Sequence, residues 1–270
     1  MKLVKPSADI ITLIPGIDIH PKGEITKEFL LTHIYKEIMH ASSVRRRPEE
    51  HITTDSATKF VDALTEKGDL MLLKYGTVYL NFPTENPEKY KNNKYSKVIC
   101  MDDDWWAVTT NYMEIIKNNW LDDLKYLTVP TDFHQKRISV YFVCDRAVAY
   151  DLKSFDGANN FSFIDNSENY EFGNEITCIE PCWEMKAFSL LHFISLLETA
   201  EAKYFELIKN GWQPQQARTV LPNATKIELI MTGFIDDWKN FLELKTKPDT
   251  HPQMLELTAI LREQFASFIP

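Results

Sequence analysis

Two apolar stripes at helical spacing, with a short arginine-bearing segment between them, constrain this chain more than any other feature. Phe193, Leu196, Leu197, Ala200, Tyr204 and Leu207 recur every three or four residues. Ile227, Ile230, Met231, Phe234, Trp238, Phe241 and Leu242 do the same. Gly211 is placed to end the first helix, and Pro214 to start a short helical turn. The intervening segment QQARTVLP, Gln215–Pro222, holds Arg218 as its single cation. A guanidinium fixed between two core helices suits a carboxylate or phosphate, because its planar fork makes two parallel hydrogen bonds.

Upstream, strand and helix signals mix. Lys2–Leu13 alternates as an edge strand ended by Pro15-Gly16. Thr26–Met39 reads as a helix. Thr54 or Asp55 caps a second helix, carrying Ala57, Phe60, Val61 and Leu64, that Gly68 ends. Leu70–Leu80 is strand-like after a short helical lead. Val98–Met101 and Ala107–Asn111 form a hairpin around Asp102–Asp104. Met113–Tyr126 is helical, Arg137–Cys144 a strand, and Arg146–Ser154 helical. Asp156–Asn160 is a Gly/Asn loop and Ile176–Ile179 a short strand. From Phe188 the chain is almost all helix, ending in Met254–Phe265. Strands mixed with helices, then helices alone, point to an α+β fold with an antiparallel or mixed sheet flanked by long helices. The 270 residues, 44% of them hydrophobic, supply one large core, and a single domain over 1–270 is expected.

A net charge of −9 argues against a nucleic-acid partner, which needs a dense basic face. It leaves room for a nucleotide, which one or two arginines can hold. No apolar run approaches the ~18 residues of a membrane span. The start, MKLVKPSADI, lacks the apolar core of a secretory signal. Cys100, Cys144, Cys178 and Cys182 are widely spaced and read as reduced thiols of a cytoplasmic protein. Cys178 and Cys182 have no second pair, and His134, His192 and His251 have no ligand spacing, so no metal is expected. Asp102–Asp104 beside Trp105-Trp106 reads as an acidic turn next to core aromatics.

The run from Gly211 to Glu256 contains A-R-T-V-L-P and then W-K-N-F-L-E-L-K. It resembles the C-terminal half of the flavin-dependent thymidylate synthases, with their A-R-x-V-L-P segment and W-x-x-F-x-x-L-R helix. YFVCDR (Tyr141–Arg146), FSF (Phe161–Phe163) and FGNEIT (Phe172–Thr177) resemble the middle of the same family. Thr54–Ala57 and Gly76–Leu80 extend the likeness over most of the chain. The resemblance implies the thymidylate synthase-complementing protein fold and a homotetramer whose pockets are shared between subunits. It implies C5 methylation of deoxyuridine monophosphate, or a related uridine nucleotide. Methylenetetrahydrofolate would give the carbon, NADPH would reduce FAD, and the flavin would deliver a hydride. Arg218 would meet the nucleotide, or else tie helices together through Glu228. Ser162, Ser167 and Tyr170 would bind substrate. Lys245 stands where the family has the arginine beside the pyrimidine, which makes it both a substrate-binding and a catalytic candidate. Asn240 would lie near the flavin, Tyr75 would flank it, and His251 would line the pocket or serve structure.

The chain also departs from the family. The R-H-R signature is replaced by Ser154, Phe155 and Asp156, and Asn169 stands for the phosphate arginine. Asp69, Lys74 and Tyr75 replace the residues that flank the flavin. Each lost charge-assisted hydrogen bond to phosphate is worth ~1.5–3 kcal/mol. Arg45, Arg46 and Arg47 either resupply cations or form a solvated loop. Arg146 could bridge subunits or bind a ligand. Two functions follow: a synthase-type enzyme with a remodelled site, or a non-catalytic paralogue. The latter would act as scaffold, as partner subunit of an intact family member, or as a ligand-binding protein.

Overall fold

The computed structural model describes residues 1–14, 16, 18–19, 24–44, 52–83, 87–102, 105–168 and 172–266. The N-terminal extended stretch is two strands, β1 (Lys2–Val4) and β2 (Ser7–Ile10), split at Pro6, which has no N–H to donate. Helix α1 (Lys27–Ser43) begins where Thr26 Oγ1 accepts from the Phe29 N–H at 3.1 Å. Helix α2 (Thr54–Lys67) is capped by Thr53, one residue before the expected position, and Gly68 ends it with φ +71°. A 3-10 turn, Leu70–Tyr75, leads into β3 (Thr77–Pro83). Helix α3 (Glu88–Lys91) precedes the hairpin of β4 (Lys97–Asp102) and β5 (Trp105–Asn111). These strands form an antiparallel sheet in the order β3-β5-β4.

The helix expected over Met113–Tyr126 is interrupted. Helix α4 (Tyr112–Lys117) stops at Asn118, whose side chain donates to the Glu114 carbonyl at 2.9 Å, and Asn119 turns to φ +56°. Asparagine side chains compete for backbone groups in this way, and asparagine tolerates the left-handed region. The chain resumes as a 3-10 turn over Leu121–Tyr126.

Next come β6 (Arg137–Asp145), α5 (Arg146–Ser154), β7 (Ser162–Asp165), β8 (Thr177–Ile179), the 23-residue α6 (Ala187–Lys209) and the short α7 (Pro214–Ala217). The second apolar stripe is not one helix. Lys226–Phe234 is strand β9, and only Ile235–Lys245 is helical, as α8; α9 (Pro252–Phe265) follows. Most of β9 is buried, on both faces, so its apolar residues need not alternate, and their spacing imitates a helix. Arg218 therefore sits in a 3-10 turn, Arg218–Val220, between a helix and a strand rather than between two helices.

Strand β9 lies inside a four-stranded antiparallel sheet ordered β2-β6-β9-β7. The β6–β9 register runs from Arg137 opposite Phe234 to Asp145 opposite Lys226. One face carries α5, α8 and α9 around the fully buried Trp238, whose Nε1–H donates to the Ile138 carbonyl at 2.9 Å. The other face meets α1 through Ala41, Tyr75 and Ile230. A further core joins α1 and α2 to the three-stranded sheet. The outer edge of β2 is closed by Gln264 of α9, which accepts from the Ile10 N–H and donates to the Ala8 carbonyl. The short pair β1–β8 packs with α6. Antiparallel sheets and flanking helices agree with the expected α+β class. Among the described residues no helix is long and apolar enough to cross a membrane.

Gly233 sits under the Phe161 ring: a Cβ there would lie 2.4 Å from Phe161 Cδ1. That ring is itself packed against Trp238 at 5.0 Å. Gly233→Ala should therefore cost about 1–3 kcal/mol in urea denaturation, from overpacking. Gly68→Ala meets nothing within 4 Å and should cost only the left-handed backbone strain, about 1 kcal/mol. A Gly233→Ala loss no larger than that of Gly68→Ala would show that the ring yields.

Candidate functional site

The C-terminal end of β6 builds a basic groove. Asp145 Oδ1 accepts from the Val148 N–H at 2.8 Å and so caps α5, while its other oxygen takes Gln253 Nε2 at 2.6 Å. The cap fixes Arg146 as the first residue of the helix, with its N–H on the Asn223 carbonyl at 2.9 Å. Lys226, opposite Asp145 in the ladder, binds Glu228 Oε1 at 2.7 Å. Asn166 holds the same strand by exchanging bonds with Glu228 at 3.0 and 3.2 Å. The turn after β7 places Ser167 alongside, its N–H on Asp165 Oδ1 at 2.8 Å. The groove measures about 210 Å³, with Arg146, Lys226, Ser167, Asn166 and Glu175 on its walls. Arg146 and Lys226 share these walls with Glu175, the Ser167 hydroxyl and the Asn166 amide, and Lys226 is already paired with Glu228. Guanidinium, hydroxyl and amide groups of this kind are donors to an anionic group.

The expected site residues do not converge within one chain. Ser162 is paired with Thr232, and Ser167 lies beyond the Asp165–Leu229 pair, so the two serines stand at opposite ends of β7. Arg218 is exposed on its 3-10 turn, and its segment reaches the groove only through Leu221. Glu228 is engaged by Lys226 and Asn166. Lys245 holds its ammonium over the Phe155 ring, 5.6 Å from the centre. His251 precedes α9 and meets Trp183 edge-on at 6.0 Å. Tyr170, Asn169 and Arg45–Arg47 lie outside the described residues. The sequence left Arg146 undecided and passed over Lys226. The one available signal was an arginine directly after a strand and a capping aspartate.

The place of the R-H-R signature has the opposite sign. Ser154 Oγ donates to the Tyr150 carbonyl at 2.8 Å, and Phe155 packs on Phe241 at 5.2 Å. Beside them runs a groove of about 290 Å³ with Asp156, Asp237, Glu243, Asn160 and Asn240 on its walls. Burial holds the Asp237 carboxyl above its ordinary value, against a hydrogen bond from Asn160. Three carboxylates and no cation line this groove among the described residues; Lys245 stays just outside. The groove's own walls thus offer the anionic diphosphate of FAD no cation.

Tyr75 belongs to a third cavity, of about 240 Å³, between α1 and the four-stranded sheet, together with His33, Lys36, Glu37 and His40. Glu37 Oε2 accepts from the Thr77 N–H at 2.9 Å. Burial raises its pKa from 4.5 to about 8. Burial, reinforced by Lys36, lowers that of His33 from 6.5 to about 4. The three expected cofactor residues, Tyr75, Asn240 and His251, thus occupy three separate places.

A sheet of antiparallel strands with helices on both faces, and a groove at the strand ends that carries Arg146 and Lys226, define an α+β protein. A family model of the thymidylate synthase complementing proteins matches residues 107–270. The chain belongs to this family, whose members are of the flavin-dependent thymidylate synthase type. The match begins in β5 and takes in the four-stranded sheet from β6 onward, with the basic and acidic grooves. No curated protein matches the chain.

The Tyr75 cavity predicts a pH profile. Between pH 4.5 and 8, folded Glu37 keeps a proton that the unfolded chain releases, so its contribution to stability is full below 4.5 and lost as pH rises through 8. His33 acts oppositely: between pH 4 and 6.5 the unfolded chain binds the extra proton, so stability rises there. The two nearly cancel up to pH 6.5, and Glu37 alone should depress stability from there to pH 8. In urea titrations Glu37→Gln should flatten that decline. A wild-type profile already level over that range would refute it.

Proposed function

We propose that this member of the family binds a nucleoside monophosphate, with the phosphate in the groove of Arg146, Ser167 and Lys226. The observation that carries the reading is that Arg146, one residue past the Asp145–Lys226 pair that ends the β6–β9 ladder, shares a groove with Lys226 and with a serine that the resemblance assigns to the nucleotide. Deoxyuridylate is the ligand the family implies. Arg218 and Tyr170 remain candidates for the nucleoside side of that ligand, and Lys245 for the pyrimidine.

The second reading is full C5 methylation, with FAD, NADPH and methylenetetrahydrofolate. Family membership favours it; the acidic groove at the place of the R-H-R signature opposes it. The balance favours a nucleotide-binding paralogue without flavin chemistry of its own. Assembly fits the same reading. The first half of α6 is apolar yet uncovered: Phe188 is 73% exposed, Leu191 65% and Leu196 70%. A helix apolar on nearly all sides is one that a further chain buries. We take that chain to be a second copy, as in the tetramer that the family implies, with an intact family member as the other possible occupant.

Calorimetric titration with deoxyuridylate should show binding that Arg146→Gln weakens at least about tenfold, the loss of one charge-assisted bond. Deoxyuridine, which lacks the phosphate, should not bind. Binding unchanged by Arg146→Gln would move the site elsewhere. Purified protein should be colourless and should stay so after incubation with FAD and gel filtration; retained yellow colour would restore the synthase reading. In light scattering the wild-type chain should exceed the monomer mass, and the double variant Phe188→Glu, Leu191→Glu should fall to it. Wild-type protein that is already monomeric would remove the assembly proposal and leave the groove untouched.

A further inference from the structure

The opposite end of the β6–β9 pair carries another basic pocket, independent of the nucleotide reading. Arg137 opens β6 across from Phe234, the last residue of β9. It is only 4% exposed. Its Nη2 donates to the Lys74 carbonyl at 3.1 Å, and its guanidinium lies 5.8 Å from the centre of the Phe234 ring. Its Nη1 is buried and has no hydrogen-bond partner among the described residues. No ion pair among the described residues closes on it either. Glu37 and Asp237 act on it from further off. Burial keeps Glu37 protonated near neutral pH, and Asp237 is engaged by Asn160 and by the Phe234 N–H. A buried guanidinium short of one bond and of a counter-ion is destabilising, and an arriving anion would offset that cost.

Beside Arg137 lies a cavity of about 90 Å³ whose walls include Lys94, Lys97, Asn160, Ser162 and Asp237. Lys97 places its ammonium 5.6 Å from the centre of the same Phe234 ring. Three cations thus face one carboxylate. The volume is well below the ~300–1,000 Å³ of pockets that take whole ligands, and it suits a single charged group. We propose that this pocket binds a small oxyanion, a phosphate or a carboxylate, between Nη1 of Arg137, Lys97 and the Ser162 hydroxyl.

The test follows the Nε–Hε signal of Arg137 by NMR in the full chain labelled with 15N-arginine; the signal is assigned from Arg137→Lys. Inorganic phosphate and sodium acetate are titrated separately, with sodium chloride at matched ionic strength as control. A saturable shift with phosphate alone supports a phosphate ligand, and a shift with acetate supports a carboxylate. Lys97→Gln, at an exposed position outside the core, should weaken the response about tenfold. Asp237→Asn should tighten it, and Arg146→Gln should leave it unchanged. A signal that stays still, or that follows sodium chloride equally, overturns the proposal.

Discussion

The nine-residue ladder between β6 and β9 is the constraint on which the rest of this structure depends. It spans about 26 Å at the usual rise per residue, and both strands are buried along most of their length. Trp238 ties α8 to β6 by a buried hydrogen bond to the Ile138 carbonyl, next to the last pair of the ladder, which fixes the helical layer against the strands. Burial on both faces also sorts charge. Between its ends β6 has no charged residue, and β9 has only Glu228, which Lys226 neutralises. The cations are driven to the two ends: Arg137 at one, Arg146 and Lys226 at the other. Both candidate anion sites are where they are because a doubly covered strand has nowhere else to put a charge.

Much of the fold was legible in the residues. Thr26, Gly68, Gly211 and Pro214 each act locally, through a hydroxyl, a left-handed backbone or a fixed φ, and local causes survive folding. The stripe after Ile227 was misleading for a non-local reason. A strand covered on both faces carries a continuous apolar run, and four residues of such a run can match a helical period by chance. Only the knowledge that helices would cover both faces separates the two readings, and that is tertiary information. The break at Asn118-Asn119 is the converse case: apolar spacing continued, but two adjacent asparagines offered the backbone better local partners.

The site was less legible than the fold. The resemblance pointed to Ser162 and Ser167 as one set, but a strand rises by more than 3 Å per residue, so five positions carry them to opposite ends of β7. Arg218 drew attention as the lone cation of a distinctive segment, yet distinctiveness along the sequence says nothing of which surface a turn will face. Arg146 and Lys226 lie 80 positions apart in the chain, and the ladder register, which sets Lys226 opposite Asp145, brings them to one groove.

Position 155 shows how the scaffold accommodates a residue other than the one the resemblance implies. The resemblance would put a ligand-facing histidine there. In this chain Phe155 turns inward instead, against Phe161 at 5.8 Å and Phe241 at 5.2 Å. Those two rings already pack on Trp238, so the substitution joins an existing aromatic cluster rather than opening a void. The Phe155 ring is partly buried there and still forms one wall of the acidic groove. Its neighbour Asp156 lines the same groove with Asp237 and Glu243. The acidic groove thus lies beside a residue that serves packing where the resemblance implies one that serves a ligand. At the other end of the ladder the Asp145 cap fixes the backbone of Arg146, and so the point from which its side chain leaves α5.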